Sequence, residues 1–169
     1  MQNKNVETLY FEESGSIPNN PDLPVLFYKG ALKDDPEKAE LLFNDNNWRN
    51  SWQGGVFDYH HFHSNTHEVL GVVSGSAKLI VGGESGKTIE VKPGDVIVLP
   101  AGTGHKRLSS TEDFQVAGAY PNGKDHNLKT DENNGRTQLL IEIKEVEVPS
   151  KDPVHGENGP LLSLWKKDE

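Results

Sequence analysis

"HHFHSNTHE", His60 to Glu68, is the stretch on which the reading of this chain turns. It gathers four of the seven histidines and a glutamate into nine residues. A metal site, a catalytic dyad and a histidine-rich polar loop are all open readings at first sight. The choice between them depends on which side chains share a face. Successive side chains of a strand point to opposite sides. If "VFDYHHFH" (Val56–His63) is a strand, His61 and His63 share one face, and His60 and Phe62 the other. The turn "SNTH" then delivers Glu68 at the head of "EVLGVVSG". Far along the chain, "GDVIVLPAGTGH" brings in His105 after a Pro–Gly turn. Three neutral imidazoles and a carboxylate suit a divalent transition metal with coordination positions left open. His60 has the wrong parity to join them, and His67, next to Glu68, meets the same objection. Both are expected on the outer surface, at a dimer contact or in a hydrogen bond behind a ligand residue, with solvent or an interface preferred.

Outward from this stretch the chain reads as all-β. After Trp48 come short apolar runs: "EVLGVVSGSAKLIV", "KTIEV", "DVIVLP", "HKRLS", "DFQVAGAY" and "TQLLIEIKEVEV". They are cut by turns such as "GGESG", "KPGD", "PAGTG" and "PNGKD". Many short strands at regular spacing indicate a sandwich or barrel. In the last run the apolar parity slips between Ile143 and Val146, which predicts a β-bulge near Lys144–Glu145. One helix is expected, over about 35–46. Asp34 or Asp35 is its N-cap, Pro36 lies in its first turn, and Ala39, Leu42 and Phe43 form its apolar stripe. Residues 1–30 and 149–169 read as arms around a core barrel at about 48–148, all within one domain.

The bulk numbers narrow the function. A chain of 169 residues suffices for one sizeable core. Its formal charge of −9 argues against tracking nucleic-acid phosphates. Without cysteine there are no disulfides, thiolate ligands or thiol nucleophiles, so a metal must be held by nitrogen and oxygen. No apolar run approaches the roughly 20 residues needed to cross a bilayer, and no signal-peptide pattern opens the chain. A cytoplasmic protein without membrane or nucleic-acid partners is expected.

Three motifs fail on context. "VGGESGKT" ends like a phosphate-binding loop, but Val81 stands where glycine is required and a strand follows. "HSNTH" has the four-residue spacing of a zincin helix, yet Ser64 replaces its glutamate. "GVVSG" lacks the spacing of a serine-nucleophile elbow.

The pattern that holds resembles the cupin superfamily. Gly55, His61, His63, Glu68 and Gly75 fit the first cupin motif in spacing, and Gly94, Pro100, Gly102 and His105 fit the second. Ser109 departs from the asparagine that closes the second motif, which touches local packing or pocket polarity and not the ligands. The phrases "HEVLGVVSGSA", "LPAGTGHK", "VAGAYPNG" and "DPVHGENGPLLSLW" look like the YjlB-type single-domain bacterial cupins. The resemblance implies a jelly-roll barrel (a double-stranded β-helix of the RmlC type) with His61, His63, Glu68 and His105 around one divalent metal. Fe, Mn, Ni, Co, Cu and Zn all suit such ligands. It further implies a small-molecule ligand and, since cupins commonly pair their barrels, a homodimer. The function expected is a metal-dependent, dioxygenase-like enzyme on a small organic metabolite. A non-catalytic binding or sensor module and a metal-dependent isomerase or lyase stay open beside it. Arg107, two residues after His105, is expected to face the interior and pair with an anionic substrate. Tyr59, on the His61 face, is expected to hydrogen-bond a ligand residue or substrate. Asp95 is read as a turn cap, and His126 and His155 as solvated loop residues.

Overall fold

A computed structural model describes residues 6–130 and 135–166. The outermost residues of both arms, 1–5 and 167–169, lie outside that description. Among the described residues nine strands form two antiparallel sheets. They are β1 (Val6–Leu9), β2 (Val25–Tyr28), β3 (Trp48–Gly54), β4 (Glu68–Ser74), β5 (Ala77–Val81), β6 (Lys87–Val91), β7 (Val96–Leu99), β8 (His105–Ser110) and β9 (Gln115–Pro121). The larger sheet runs β1-β2-β7-β4-β9-β3 and the smaller β6-β5-β8.

The strands "VLFY" and "VIVL" are apolar at every position because the large sheet is covered on both faces. Alternation sorts them. Val25, Phe27, Leu70, Ile97 and Leu99 pack inward with Leu79 of the small sheet. Leu26, Tyr28, Val69, Val96 and Val98 pack outward with Phe43, Trp48 and Trp165. Glu68 has the parity of inward-facing Leu70, and that places a carboxylate inside the barrel. Gly75, at φ 68°, makes the β4–β5 turn, where a Cβ would lie 2.6 Å from the Phe114 backbone. Asp95 does tie a turn: its carboxylate accepts from the Lys92 N–H at 2.9 Å and from Gly30 N–H at 2.7 Å.

The structure corrects several expectations. The helix near the N-terminus is present as a short 3₁₀ turn, Pro36–Lys38, leading into α1 (Ala39–Asp45), but the Asp35 side chain makes no capping bond. The barrel is not confined to 48–148. β2, from the expected N-terminal arm, sits inside the large sheet between β1 and β7. "RTQLLIEIKE" is a helix, α2 (Arg136–Glu145), and the bulge expected at Lys144–Glu145 does not exist. Its period-2 apolar residues mislead, because Leu139 and Ile143, four apart, are buried against Ile17, Phe62 and Ala101 while Ile141 is exposed. A short α3 (Leu161–Leu164) precedes Trp165, whose indole N–H donates to the Pro24 carbonyl at 2.8 Å. Among the described residues no helix is long and apolar enough to cross a membrane.

Candidate metal centre

"VFDYHHFH" is not a regular strand. It is held by two isolated bridges, His61 to His105 on one side and Phe62 to Lys129 on the other. Those bridges preserve the alternation locally. Phe62 is fully buried against α2, and His61 and His63 turn the opposite way, into the barrel. The helix that replaced the expected strand therefore backs the histidine segment.

His61, His63 and His105 are each buried, and one ring nitrogen from each lies within 4.8 Å of the other two. These three could hold a metal ion. Glu68 closes on the cluster, its Oε1 standing 3.2 Å from His63 Nε2 and 3.5 Å from His105 Nε2. Each imidazole is oriented by a backbone carbonyl facing its Nδ1. The carbonyls belong to Tyr59 (3.0 Å), Asn127 and Thr103 (3.1 Å) for His61, His63 and His105 respectively. A carbonyl only accepts, so each Nδ1 carries the hydrogen and each neutral ring keeps an Nε2 lone pair. Glu68 Oε2 accepts the Tyr120 hydroxyl at 2.9 Å, but its buried Oε1 has no hydrogen-bond partner. Neutral imidazoles and a carboxylate thus supply acceptors and no donor, an arrangement that a cation completes.

The electrostatics agree. Burial, with the neighbouring His105 and His63, pushes His61 down to about 3, so it stays neutral. Burial also opposes charge on His63 and Glu68. The Glu68 carboxylate nonetheless raises His63, and His105 and His63 hold Glu68 well below the usual carboxylate range. Burial and the Glu68 charge push the Tyr120 hydroxyl up, keeping it a donor.

The other expected residues lie differently. His60 is partly exposed and pairs with Glu84 at 2.8 Å, away from the cluster. His67 is neither solvated nor interfacial but 1% exposed. Its Nδ1 accepts the Ala101 N–H at 2.9 Å, and its Nε2–H donates to the Glu147 carbonyl at 3.1 Å. Arg107 does not reach the cavity; its Nε donates to the Val56 carbonyl at 3.0 Å. Tyr59 is 41% exposed and stacks on Phe57, and it orients His61 through its carbonyl and not its hydroxyl. His155 is exposed, as expected.

A cavity of about 450 Å³ opens onto the cluster, with Trp52, Val56, Leu70 and Tyr120 in its walls. Phe57, His126 and Leu128 also line it and reach solvent, so they form its mouth. His126, read from sequence as merely solvated, stacks on Tyr120 with ring centroids 4.3 Å apart and lies 5.1 Å from the His63 ring. Tyr120 was legible by parity, since alternation from inward-facing Val116 along β9 aims it at the interior. His126 and Asn127, on an irregular loop, carried no such signal. Gly118 lies on the same β9 face, under the Trp52 indole, where an added Cβ would stand 2.4 Å from the ring. Gly118→Ala is therefore expected to displace Trp52, break its 2.9 Å bond to Tyr120 and cost about 1–3 kcal/mol. Urea unfolding and Trp fluorescence would check this; an unchanged midpoint would refute it.

Residues 50–116 match the family model described as the cupin domain. The uncharacterized protein YjlB of Bacillus subtilis (strain 168) is 46% identical over 164 residues, 97% of this chain and 99% of that protein. Solved structures similar to the chain include the WlaRB TDP-quinovose 3,4-ketoisomerase from Campylobacter jejuni. That match has 16% identity, 54% of this chain and 73% of that one, and a TM-score of 0.41. Another is the acireductone dioxygenase from Bacillus anthracis with cadmium ion in its active center, at 25% identity, 61% and 51% coverage and a TM-score of 0.33.

Proposed function

The chain belongs to the cupin family, with YjlB as a near full-length relative, and from that premise we propose a metal-dependent enzyme acting on a small organic metabolite. One observation carries the reading: a buried set of acceptors, three Nε2 lone pairs and the unpartnered Oε1 of Glu68, with no donor among them. His61, His63 and His105 would hold a divalent transition metal, with Glu68 as the fourth ligand. Such an ion supplies Lewis acidity and, if redox-active, a route to oxygen chemistry.

The protein's own contribution is positional. The carbonyls of Tyr59, Asn127 and Thr103 fix the imidazole tautomers, as outer hydrogen bonds to metal-binding histidines do. Tyr120 occupies one oxygen of Glu68 and leaves the other directed at the cluster. An enzyme is favoured over a purely structural site because a roughly 450 Å³ cavity opens on the cluster. A purely structural ion is closed in by protein ligands and has no use for such a cavity. A dioxygenase-like reaction is the specific form proposed.

Elemental analysis of protein purified without an affinity tag should return about one divalent transition metal per chain. Oxygen uptake by the Fe(II)-loaded protein, screened over small organic substrates, then tests the reaction. Bound metal with no uptake and no turnover of any substrate would favour a binding module; absence of metal under all loading conditions would overturn the reading.

A further inference from the structure

Several polar groups in the walls of the cavity are already engaged by hydrogen bonds within the protein. Trp52 donates its indole N–H to the Tyr120 oxygen at 2.9 Å, and Tyr120 in turn donates to Glu68. The Ser51 hydroxyl faces the Glu40 and Asn44 side chains at 3.1 and 3.3 Å. The Asn50 amide donates to the Lys124 carbonyl at 3.3 Å. Much of the rest of the wall is hydrocarbon: Val56, Phe57, Leu70 and Leu128. Among the described residues no lysine or arginine lines it, and Arg107 is held on the Val56 carbonyl. Polar recognition therefore falls mainly to the histidine cluster at the floor and, at the mouth, to the His126 ring and the exposed Asn50 amide.

We infer that this cavity takes a small molecule with an aromatic or aliphatic body and a single polar head, and disfavours polyhydroxylated or multiply charged compounds. A polyol would leave its hydroxyls in water's absence and without partners. A second anionic group would meet apolar wall with no countercharge. An apolar body gains from burial at every wall. The volume falls within the range of small-molecule sites. The placement of the head rests on the metal reading above, whereas the preference for an apolar body does not.

Two measurements on the full chain separate the two. In metal-free protein, 2-naphthol should quench tryptophan fluorescence, and the quenching should be lost in Trp52→Phe, because Trp48 and Trp165 are buried away from the cavity. In Co(II)-loaded protein, calorimetry should show benzohydroxamate binding about tenfold or more tighter than acetohydroxamate, which has the same head and no ring. Malonate should bind more weakly than benzohydroxamate. Leu128→Lys, a change at a 46% exposed position, should narrow the preference for the phenyl group. Should cobalt fail to bind while naphthol still quenches, the metal reading fails and the apolar cavity stands. Naphthol that leaves the fluorescence unchanged, equal affinity for the two hydroxamates, or tighter binding of malonate would each overturn the inference.

Discussion

Asp152→Ala is expected to lower stability by about 3–5 kcal/mol and to release the C-terminal arm from the barrel. The carboxylate is fully buried and accepts four hydrogen bonds. Oδ1 takes the N–H groups of Val154 (2.7 Å) and His155 (2.9 Å). Oδ2 takes the Tyr28 hydroxyl (2.6 Å) and the Leu161 N–H (3.0 Å). Alanine would strand all four donors, each worth about 1–3 kcal/mol if left wholly unsatisfied and less where water enters. Tyr28→Phe removes one of the four and should cost only about 1–2 kcal/mol. Urea unfolding measures both, and hydrogen exchange over residues 149–166 reports the arm. A loss below about 1 kcal/mol for Asp152→Ala would show that the network is dispensable.

The same pair sets an alkaline dependence. Burial, and then the Asp152 charge, raise the Tyr28 hydroxyl above its ordinary value of 10.0. A group raised on folding contributes stability below its unfolded value and loses it as pH rises further. Stability should therefore fall above about pH 10, by roughly 1.4 kcal/mol per pH unit for each tyrosine so held.

What could be read from sequence follows from which constraint is local. The positions of His61, His63, Glu68 and His105 were legible because alternation and motif spacing agree, even though His61 and His63 sit on bridges and not on a regular strand. α2 was not legible. Leu139, Ile141 and Ile143 satisfy both a period of two and an i, i+4 pair, and only docking on Phe62 and Ala101 decides between them. β2 was hidden for a related reason: an apolar strand buried on both faces shows no alternation to find. Parity also misjudged Arg107. Its backbone pairs with Leu79, but its side chain is captured by the Val56 carbonyl before it reaches the cavity.

The four histidines of "HHFHSNTHE" should divide cleanly in a metal titration. His61→Ala with His63→Ala is expected to abolish stoichiometric binding, weakening any residual site by about a hundredfold or more. Only His105 and Glu68 would remain, and two protein ligands fall short of the three or four that hold such an ion. His60→Ala should leave one ion per chain, since its ring pairs with Glu84 outside the barrel. His67→Gln should do the same while lowering stability, because both ring nitrogens of this buried residue are engaged by Ala101 and Glu147. Proton competition adds a second signature. Against the effect of burial, Glu68 raises His63, so the site should bind metal above the pH at which His63 deprotonates and release it as pH falls through that point. Elemental analysis of each variant, with a titration over pH for the native chain, checks both. One ion per chain persisting in the His61/His63 double variant would place the metal elsewhere. Loss of metal in His67→Gln, with the fold intact by circular dichroism, would mean that this ring turns inward and takes the position assigned to Glu68.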